Sequence, residues 1–236
     1  MPSLPAPLAA RAERWFGRPA TVDAVEKLSP GLFRVSFSVS GLRGRPWTPG
    51  QEVEFRVDNR NFRHYTPASF DAATGAVDVV FTRGAHGPGS RWASALRPGD
   101  DAAVMGPGGG VRFDTGRAAL IAGDATTVGL FCGLAAAARA GVTGVVEVPE
   151  PDVAATRSLL PGLDVVAAEG VAGEAVSRWL SRWVTRRSAP ADAPPRAYLA
   201  GDARTLAPWR SQLTAAGHPR RDVVTKPYWS PGKAGL

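Results

Sequence analysis

Residues 63–67, with the sequence RHYTP, combine side chains that could hold a large, planar, phosphate-bearing molecule. The guanidinium of Arg63 can form paired hydrogen bonds with phosphate oxygens, and the ring of Tyr65 offers a flat face to a planar ring system. The hydroxyl of Thr66 can hydrogen-bond a ring nitrogen. On a β-strand, Arg63 and Tyr65 share one face, and Pro67 ends regular pairing and leaves that face open. An edge strand with ordinary aromatic packing would also suit these residues, and that alternative stays open here.

A second candidate lies about 25 residues further on, where residues 87–93 read GPGSRWA. Glycines allow close backbone approach, and Ser90 is a favourable N-cap for the helix predicted to follow. The first N–H groups of a helix can bind a pyrophosphate. The alternative is a loop that is simply capped into a short helix. Because one hairpin joins the two segments, both could face a single dinucleotide.

In the first half of the chain, the sequence predicts short strands that are separated by turn-forming segments such as Ser-Pro-Gly and Thr-Pro-Gly. Apolar and polar residues alternate most clearly in LFRVSFSV, as in a half-buried strand. A helix is predicted near residues 90–96. We predict a six-stranded antiparallel β-barrel. Its strands are residues 21–25, 32–39, 52–57, 63–66, 77–82 and 102–105.

In the second half of the chain, the sequence predicts strands that alternate with helices. This order indicates an α/β domain with a parallel sheet of the nucleotide-binding type. The predicted strands are residues 118–122, 142–148, 163–167 and 197–200, and the predicted helices are residues 127–140, 174–186 and 205–216. The fold class is therefore all-β plus α/β. We expect a first domain over residues 1–114 and a second over residues 115–236, with a cofactor cleft between them.

Composition excludes several classes of protein. The 236 residues are 44% hydrophobic and 21% charged, which argues against extended disorder, collagen and coiled coil. The net charge of +7 is spread along the chain, so it favours small anions over nucleic acid. No apolar run is long enough to predict a membrane span. A single cysteine, Cys132, and the absence of a signal-peptide pattern lead us to expect a cytoplasmic protein. No metal-ligand spacing is present in the sequence.

Several segments resemble one known family. Arg63-His64-Tyr65-Thr66 is similar to the flavin motif of the ferredoxin reductase superfamily, and residues 87–93 resemble a G-P-A-S-R-W-A segment of siderophore-interacting proteins, the bacterial ferric-siderophore reductases. Further similar pieces follow the family's order along the chain: residues 27–37, 122–126, 199–203 and 228–232.

This resemblance implies FAD as the cofactor. Tyr65 would stack on the isoalloxazine ring and Thr66 would approach its N5 edge, which makes these two the expected catalytic residues. Trp92 would pack against the adenine or in the core. The full set implied for FAD is Arg63, His64, Tyr65, Thr66, Pro67, Gly87, Pro88, Gly89, Ser90, Arg91 and Trp92.

The resemblance also implies an electron donor and an acceptor. NADPH or NADH would face the turn that contains Gly123, Asp124, Thr126 and Thr127, although Ala125 stands where the family has glutamate. Ferredoxin is the alternative donor. An anionic ferric siderophore would be held by Arg83 and by a basic, aromatic C-terminal tail. The tail residues in this set are Lys226, Tyr228, Trp229 and Lys233, and the alternative for them is a solvated tail that Tyr228 and Trp229 anchor to the core.

The expected function is transfer of electrons from NAD(P)H through FAD to Fe(III) in a siderophore, with release of Fe(II). Two alternatives remain at this point. One is an FAD-dependent reductase that serves another acceptor, in an oxygenase or a biosynthetic pathway. The other is a flavin-bearing binding module without a working nicotinamide site.

Overall fold

The computed structural model describes residues 4–83, 87–186 and 194–233. The chain divides after Phe113 into two compact units, the second running from Asp114 to Lys233. Among the described residues, no helix combines the length and the apolar character needed to cross a bilayer.

The first unit is one antiparallel sheet with the strand order β4-β3-β7-β1-β2-β6-β5. Its strands are β1 (Arg18–Lys27), β2 (Leu32–Ser38), β3 (Glu52–Arg56), β4 (Phe62–Tyr65), β5 (Ser69–Asp71), β6 (Ala76–Thr82) and β7 (Asp101–Gly108). The sheet is barrel-like but not closed, because β4 and β5 form its two edges in the described part of the chain.

The predicted antiparallel, barrel-like first domain is confirmed, with the correction that its sheet has seven strands instead of six and is not closed. The strand missed by the sequence is β5, whose three residues are too few to show an alternating pattern. Pro67, which has no N–H group, follows β4, and the chain then pairs with β6 at the opposite edge. The alternation in β2 orients Phe33, Val35 and Phe37 inward, where each is fully buried.

Two helices accompany this sheet. Helix α2 (Pro88–Ala95) lies where a helix was predicted. Helix α1 (Ala6–Phe16) was not predicted from the sequence. It packs Ala9 against Phe62 and Met105 in a small separate core. The buried side of this helix is formed by alanines, which are also common on exposed helix faces, so the sequence shows no clear apolar periodicity that would predict a helix.

The second unit is a five-stranded, all-parallel sheet with the order β10-β9-β8-β11-β12. Its strands are β8 (Ala119–Asp124), β9 (Val142–Val148), β10 (Asp164–Ala167), β11 (Arg196–Asp202) and β12 (Val223–Trp229). Its helices are α3 (Val128–Ala137), α4 (Val153–Leu159), α5 (Glu174–Arg186) and α6 (Ala203–Ala215). The predicted parallel α/β architecture is confirmed, and α4 and β12 are additions to it.

Lys226, Tyr228 and Trp229, which were expected in a C-terminal tail, instead lie on the edge strand β12, which pairs with β11 in parallel. The sequence does not show this strand because lysine and proline interrupt its apolar pattern, and pairing with a neighbouring strand supplies the missing stabilisation. Strand order reverses between β8 and β11, so the carboxyl ends of these two strands border the crevice where open α/β sheets bind ligands.

Candidate functional site

In the first unit, the two predicted flavin segments meet at Gly89. A Cβ atom added to Gly89 would lie 2.3 Å from the Tyr65 hydroxyl oxygen and 3.2 Å from Cγ of Arg63. Arg63 and Tyr65 share one face of β4, as their spacing predicts. The N-terminal turn of α2 therefore lies directly against this face, and only a residue without a side chain fits between them.

Tyr65 belongs to an aromatic cluster in the first unit. Its ring centroid lies 4.8 Å from that of Phe81, 6.0 Å from Phe55 and 6.5 Å from Trp92, with the last pair stacked. Trp92 also packs on Phe55 at 5.0 Å, so its half-buried indole lies against the core. Burial raises the pKa of the Tyr65 phenol well above its usual value, although the positive charge of Arg63 opposes this shift. Tyr65 is thus a fixed, neutral ring at physiological pH.

His64 lies on the opposite face of β4 from Arg63 and Tyr65. It shares that face with Phe62, is exposed, and places Nε2 3.3 Å from a carboxylate oxygen of Glu54 on β3. The structure therefore separates His64 from the other residues of its motif. Thr66 and Pro67, which follow β4, are buried.

The start of α2 provides an anion-binding feature. Gly87, not Ser90, is the N-cap residue, and a glycine has no side chain with which to cap the helix. The predicted N-cap was wrong because Pro88 favours the first helical position and starts the helix earlier. Because Gly87 supplies no cap, the first N–H groups of this turn can donate to a phosphate, and a Cβ on Gly87 would meet no atom of the described residues within 4 Å. The Arg63 guanidinium and the start of α2 supply hydrogen-bond donors for the phosphates of a flavin dinucleotide, and the Tyr65 ring lies beside them.

Arg83 follows β6 and is exposed. Its guanidinium carbon lies 4.5 Å from the centroid of the Phe33 ring, and its backbone N–H donates to the Gly31 carbonyl at 2.7 Å. Phe33 in turn stacks on Phe81 at 5.4 Å. One aromatic ring therefore links Arg83 to the cluster around Tyr65.

In the second unit, the predicted nicotinamide turn forms at the carboxyl end of β8. The carboxylate of Asp124 accepts hydrogen bonds from both the backbone N–H and the hydroxyl of Thr126, at 2.9 and 2.5 Å. The Thr127 hydroxyl donates to the Asp124 carbonyl at 2.7 Å. An added Cβ on Gly123 would lie 2.4 Å from that hydroxyl oxygen, so the tight turn requires glycine. The structure brings these four predicted residues together, and their side-chain hydroxyls bond within the turn.

Residues from β11 and β12 complete this edge of the sheet. Asp124 also accepts the backbone N–H of Asp202 at 2.8 Å and the indole N–H of Trp229 at 2.9 Å. Gly201 has a φ of +119°, and a Cβ there would lie 2.4 Å from an Asp124 oxygen. Burial raises the pKa of Asp124, while its hydrogen bonds from Thr126 and Trp229 oppose that shift. Sequence reasoning did not assign Gly201 and Asp202 to the site, although residues 200–203 repeat the Ala-Gly-Asp-Ala of residues 122–125.

The remaining predicted substrate residues lie at the C-terminal edge. Lys226 and Tyr228 are half-buried on β12, and Trp229 ends that strand with 38% of its surface exposed. Lys233 is exposed, and its backbone N–H donates to the Ser230 carbonyl in the turn after β12. The structure thus joins Trp229 to the Asp124 turn and places Lys226 and Tyr228 on the adjoining edge strand.

Comparison with known proteins supports the flavin assignment. Residues 51–111 match the family model of the siderophore-interacting FAD-binding domain. This span contains β3, β4, α2 and β7, including every residue predicted to hold FAD. The match confirms the resemblance to siderophore-interacting proteins, and the first unit carries an FAD-binding domain.

Three similar proteins extend over most of the chain. The mycobactin import ATP-binding/permease protein IrtA of Mycobacterium tuberculosis is 29% identical over 229 residues, which cover 89% of this chain and 24% of that protein. This chain thus spans about a quarter of that relative's length. The siderophore-interacting protein of Acinetobacter baumannii has a TM-score of 0.74 at 16% identity, covering 92% of this chain and 91% of that one. The ferredoxin reductase in carbazole 1,9a-dioxygenase has a TM-score of 0.73 at 20% identity, covering 90% and 69%. The fold is therefore of the ferredoxin reductase type.

Proposed function

We propose that this chain is an FAD-dependent reductase that passes electrons from NADPH or NADH to Fe(III) held by a siderophore, so that Fe(II) is released. The observation that carries this proposal is the contact of Gly89 with the face formed by Arg63 and Tyr65. This contact lies within the residues that match a siderophore-interacting FAD-binding domain.

The chain's own residues would bind and orient the cofactor. Arg63 and the start of α2 supply positive potential and hydrogen-bond donors to the two phosphates. Tyr65 is held by its aromatic neighbours, so it can support a ring without moving. Bound FAD can accept two electrons from a nicotinamide donor and pass them on one at a time, as the reduction of Fe(III) requires. Thr66, next to Tyr65, would hydrogen-bond the ring edge.

The proposed substrate fits the charges of the chain. Siderophores bind iron through hard, anionic oxygen ligands, which hold Fe(II) less tightly than Fe(III), so reduction favours release. Iron needs no ligand from the protein in such a reaction. Arg83, Lys226 and Lys233, with Tyr228 and Trp229, would hold the anionic chelate. The protein's excess of positive charge would favour its approach.

Anaerobic stopped-flow spectroscopy of the FAD-loaded protein tests this function. We expect NADPH or NADH to bleach the flavin absorption and a ferric siderophore to restore it, with Fe(II) captured by a chelating dye. If the flavin is reduced but no ferric siderophore reoxidises it, the acceptor is of another kind, such as an oxygenase. If the purified protein binds no flavin, the proposal is wrong as a whole.

Variants of the flavin face test the assigned roles. Arg63→Ala should weaken FAD binding by about 1–3 kcal/mol, because a charged hydrogen-bond partner is lost. Tyr65→Ala should change the visible spectrum of the bound flavin. Arg60→Ala is the matched control: Arg60 is exposed in the loop before β4 and should leave FAD affinity unchanged. Equal affinities and spectra in all three variants would show that the flavin lies elsewhere.

One observation favours a second candidate, a flavin-bearing module without a working nicotinamide site. The crevice between β8 and β11 contains the Asp124 carboxylate, whose oxygens accept hydrogen bonds from Thr126, Asp202 and Trp229. These oxygens act as hydrogen-bond acceptors, so they do not favour the acceptor oxygens of a nucleotide phosphate. In this case the flavin would stay oxidised with both nucleotides in the stopped-flow experiment and would be reduced by ferredoxin or dithionite.

A further inference from the structure

Helix α1 exposes an unusual amount of apolar surface. Leu8, Trp15 and Phe16 are 50%, 67% and 65% exposed, and they are three of the five large apolar side chains that are exposed among the described residues. Leu8 and Trp15 are seven positions apart, so they lie on the same face of the helix. Apolar groups clustered on one surface helix mark a surface that another molecule covers.

Positive charge surrounds these apolar side chains. Arg11 lies between Leu8 and Trp15 on the same face, and its guanidinium carbon is 5.4 Å from the Trp15 ring centroid. Arg14 is also exposed. The acidic residue of this helix, Glu13, forms an ion pair at 2.7 Å with Arg56 of β3, so its charge is already compensated. The outer face of α1 is therefore aromatic and basic.

A cavity of about 390 Å³ adjoins the C-terminal end of this helix. Phe16, Arg18, Arg45, Gln51 and Pro107 line it. Arg18 is held in place by a hydrogen bond from its Nη1 to the Gly106 carbonyl at 2.6 Å. Within the described ranges, neither Arg18 nor Arg45 forms an ion pair with a carboxylate. Burial, and then the charge of Arg45, lower the pKa of Arg18, so the cavity favours an anion.

We propose that α1 and this cavity form a docking surface for a bilayer that contains anionic phospholipid. Leu8, Trp15 and Phe16 would enter the boundary between headgroups and acyl chains, while Arg11 and Arg14 remain at headgroup level. Arg18 and Arg45 would hold one lipid phosphate in the cavity. Aromatic and basic side chains on one helix face are the combination that an anionic membrane surface binds.

The size of the surface argues against a second copy of the chain as its occupant. An 11-residue helix is only about 16 Å long, and one such face offers far less than the roughly 800 Å² per partner that stable protein interfaces bury. A bilayer needs no matching shape on the other side, so a short helix with a few inserted side chains is sufficient.

Co-sedimentation with lipid vesicles tests this proposal. We expect the protein to bind vesicles in which about a third of the lipid is phosphatidylglycerol, to bind phosphatidylcholine vesicles weakly, and to lose binding as salt rises above about 0.5 M. The double variant Trp15→Ser/Phe16→Ser should bind anionic vesicles at least about tenfold more weakly, because both aromatic side chains lose their apolar contacts with lipid. Arg45→Gln should weaken binding by about threefold to tenfold, because one phosphate contact is lost.

Matched variants make the test specific. Val171→Ser changes an apolar residue that is 71% exposed in the second unit, and Arg220→Gln removes one exposed charge there. Both should bind vesicles as the unmodified protein does, and far-UV circular dichroism should confirm that all variants fold. The proposal is overturned if anionic vesicles are not bound. It is equally overturned if Arg220→Gln weakens binding as much as Arg45→Gln, or if the aromatic variant changes self-association and not vesicle binding.

Discussion

At the residue scale, one glycine links the two segments that could hold the flavin. Gly89 lies in the first turn of α2, where alanine would ordinarily be the better helix former by about 1 kcal/mol. The hydroxyl of Tyr65 and the side-chain stem of Arg63 occupy the space that a methyl group would need. Tyr65 cannot easily withdraw, because Phe55, Phe81 and Trp92 surround its ring.

We therefore expect Gly89→Ala to weaken FAD binding and to lower the free energy of unfolding by about 1–3 kcal/mol, because the added methyl group overpacks this contact. Fluorescence titration with FAD and urea unfolding would measure the two effects. Gly108→Ala at the end of β7 is the control, since its added Cβ meets no atom within 4 Å and its φ lies outside the left-handed region. If both variants behave alike, the contact at Gly89 does not position the flavin face.

At the element scale, the ends of three neighbouring parallel strands are joined through one carboxylate. Asp124 ends β8, and it accepts hydrogen bonds from Asp202 at the end of β11 and from Trp229 at the end of β12. Gly201 allows this close approach. The edge strand β12 is further held by Arg117, which forms two hydrogen bonds of 2.9 Å with the Asp222 carboxylate just before the strand.

Gly201→Ala should lower the free energy of unfolding by about 3 kcal/mol, because positive φ strain and the clash with Asp124 add together. Gly217→Ala separates these two causes. Its φ is +89°, but an added Cβ meets no atom within 4 Å, so we expect a loss of about 1 kcal/mol from strain alone. Denaturant unfolding curves for both variants would measure this, and equal losses would contradict a steric role for Asp124.

Asp222→Asn should lower the free energy of unfolding by about 1–2 kcal/mol at pH 7, because the Arg117 pair is lost. Hydrogen bonds from Arg117 hold the pKa of Asp222 below its usual value. The stabilisation is therefore complete above the unfolded-state pKa of about 3.9 and disappears as pH falls through the lower, folded-state pKa. Unfolding curves of the two proteins should accordingly converge in acid.

The exposed pair of Arg178 and Glu169 provides the control for this series. Its side chains are 45% and 70% exposed, so Glu169→Gln should change the free energy of unfolding by less than about 0.5 kcal/mol at any pH. A difference between Asp222→Asn and the unmodified protein that persisted at low pH would contradict the role of the ionised pair.

At the scale of the whole molecule, the net charge of +7 is the property that acts on a substrate before contact. If the acceptor is an anionic ferric chelate, its second-order rate of flavin reoxidation should fall about threefold to tenfold between ~0.01 M and ~0.15 M salt, because salt screens the attraction. A cationic one-electron acceptor should show the opposite trend. A rate for the anionic chelate that does not change with salt would contradict electrostatic steering.

Much of the architecture follows from the sequence because it depends on local patterns. Alternation in LFRVSFSV places Phe33, Val35 and Phe37 in the core of an antiparallel sheet, and the apolar run of β9 indicates a buried parallel strand. The position of Arg63 and Tyr65 on one face of a strand also follows directly from the sequence, since side chains alternate between the two faces. Each of these features depends on residues that are close together in the chain, so it can be predicted from the sequence.

Only the tertiary structure decided features that join distant residues. Strand β12 has too mixed a pattern to be recognised, and pairing with β11 makes it a strand. The buried carboxylate of Glu147, one charged residue in an apolar run, accepts the backbone N–H groups of Gly173 and Ala175 at the start of α5. Likewise, contact between Gly89 and Tyr65, and the meeting of Asp124 with Trp229, involve residues far apart in the chain. Composition and periodicity carry no record of such contacts, because packing of the folded chain creates them.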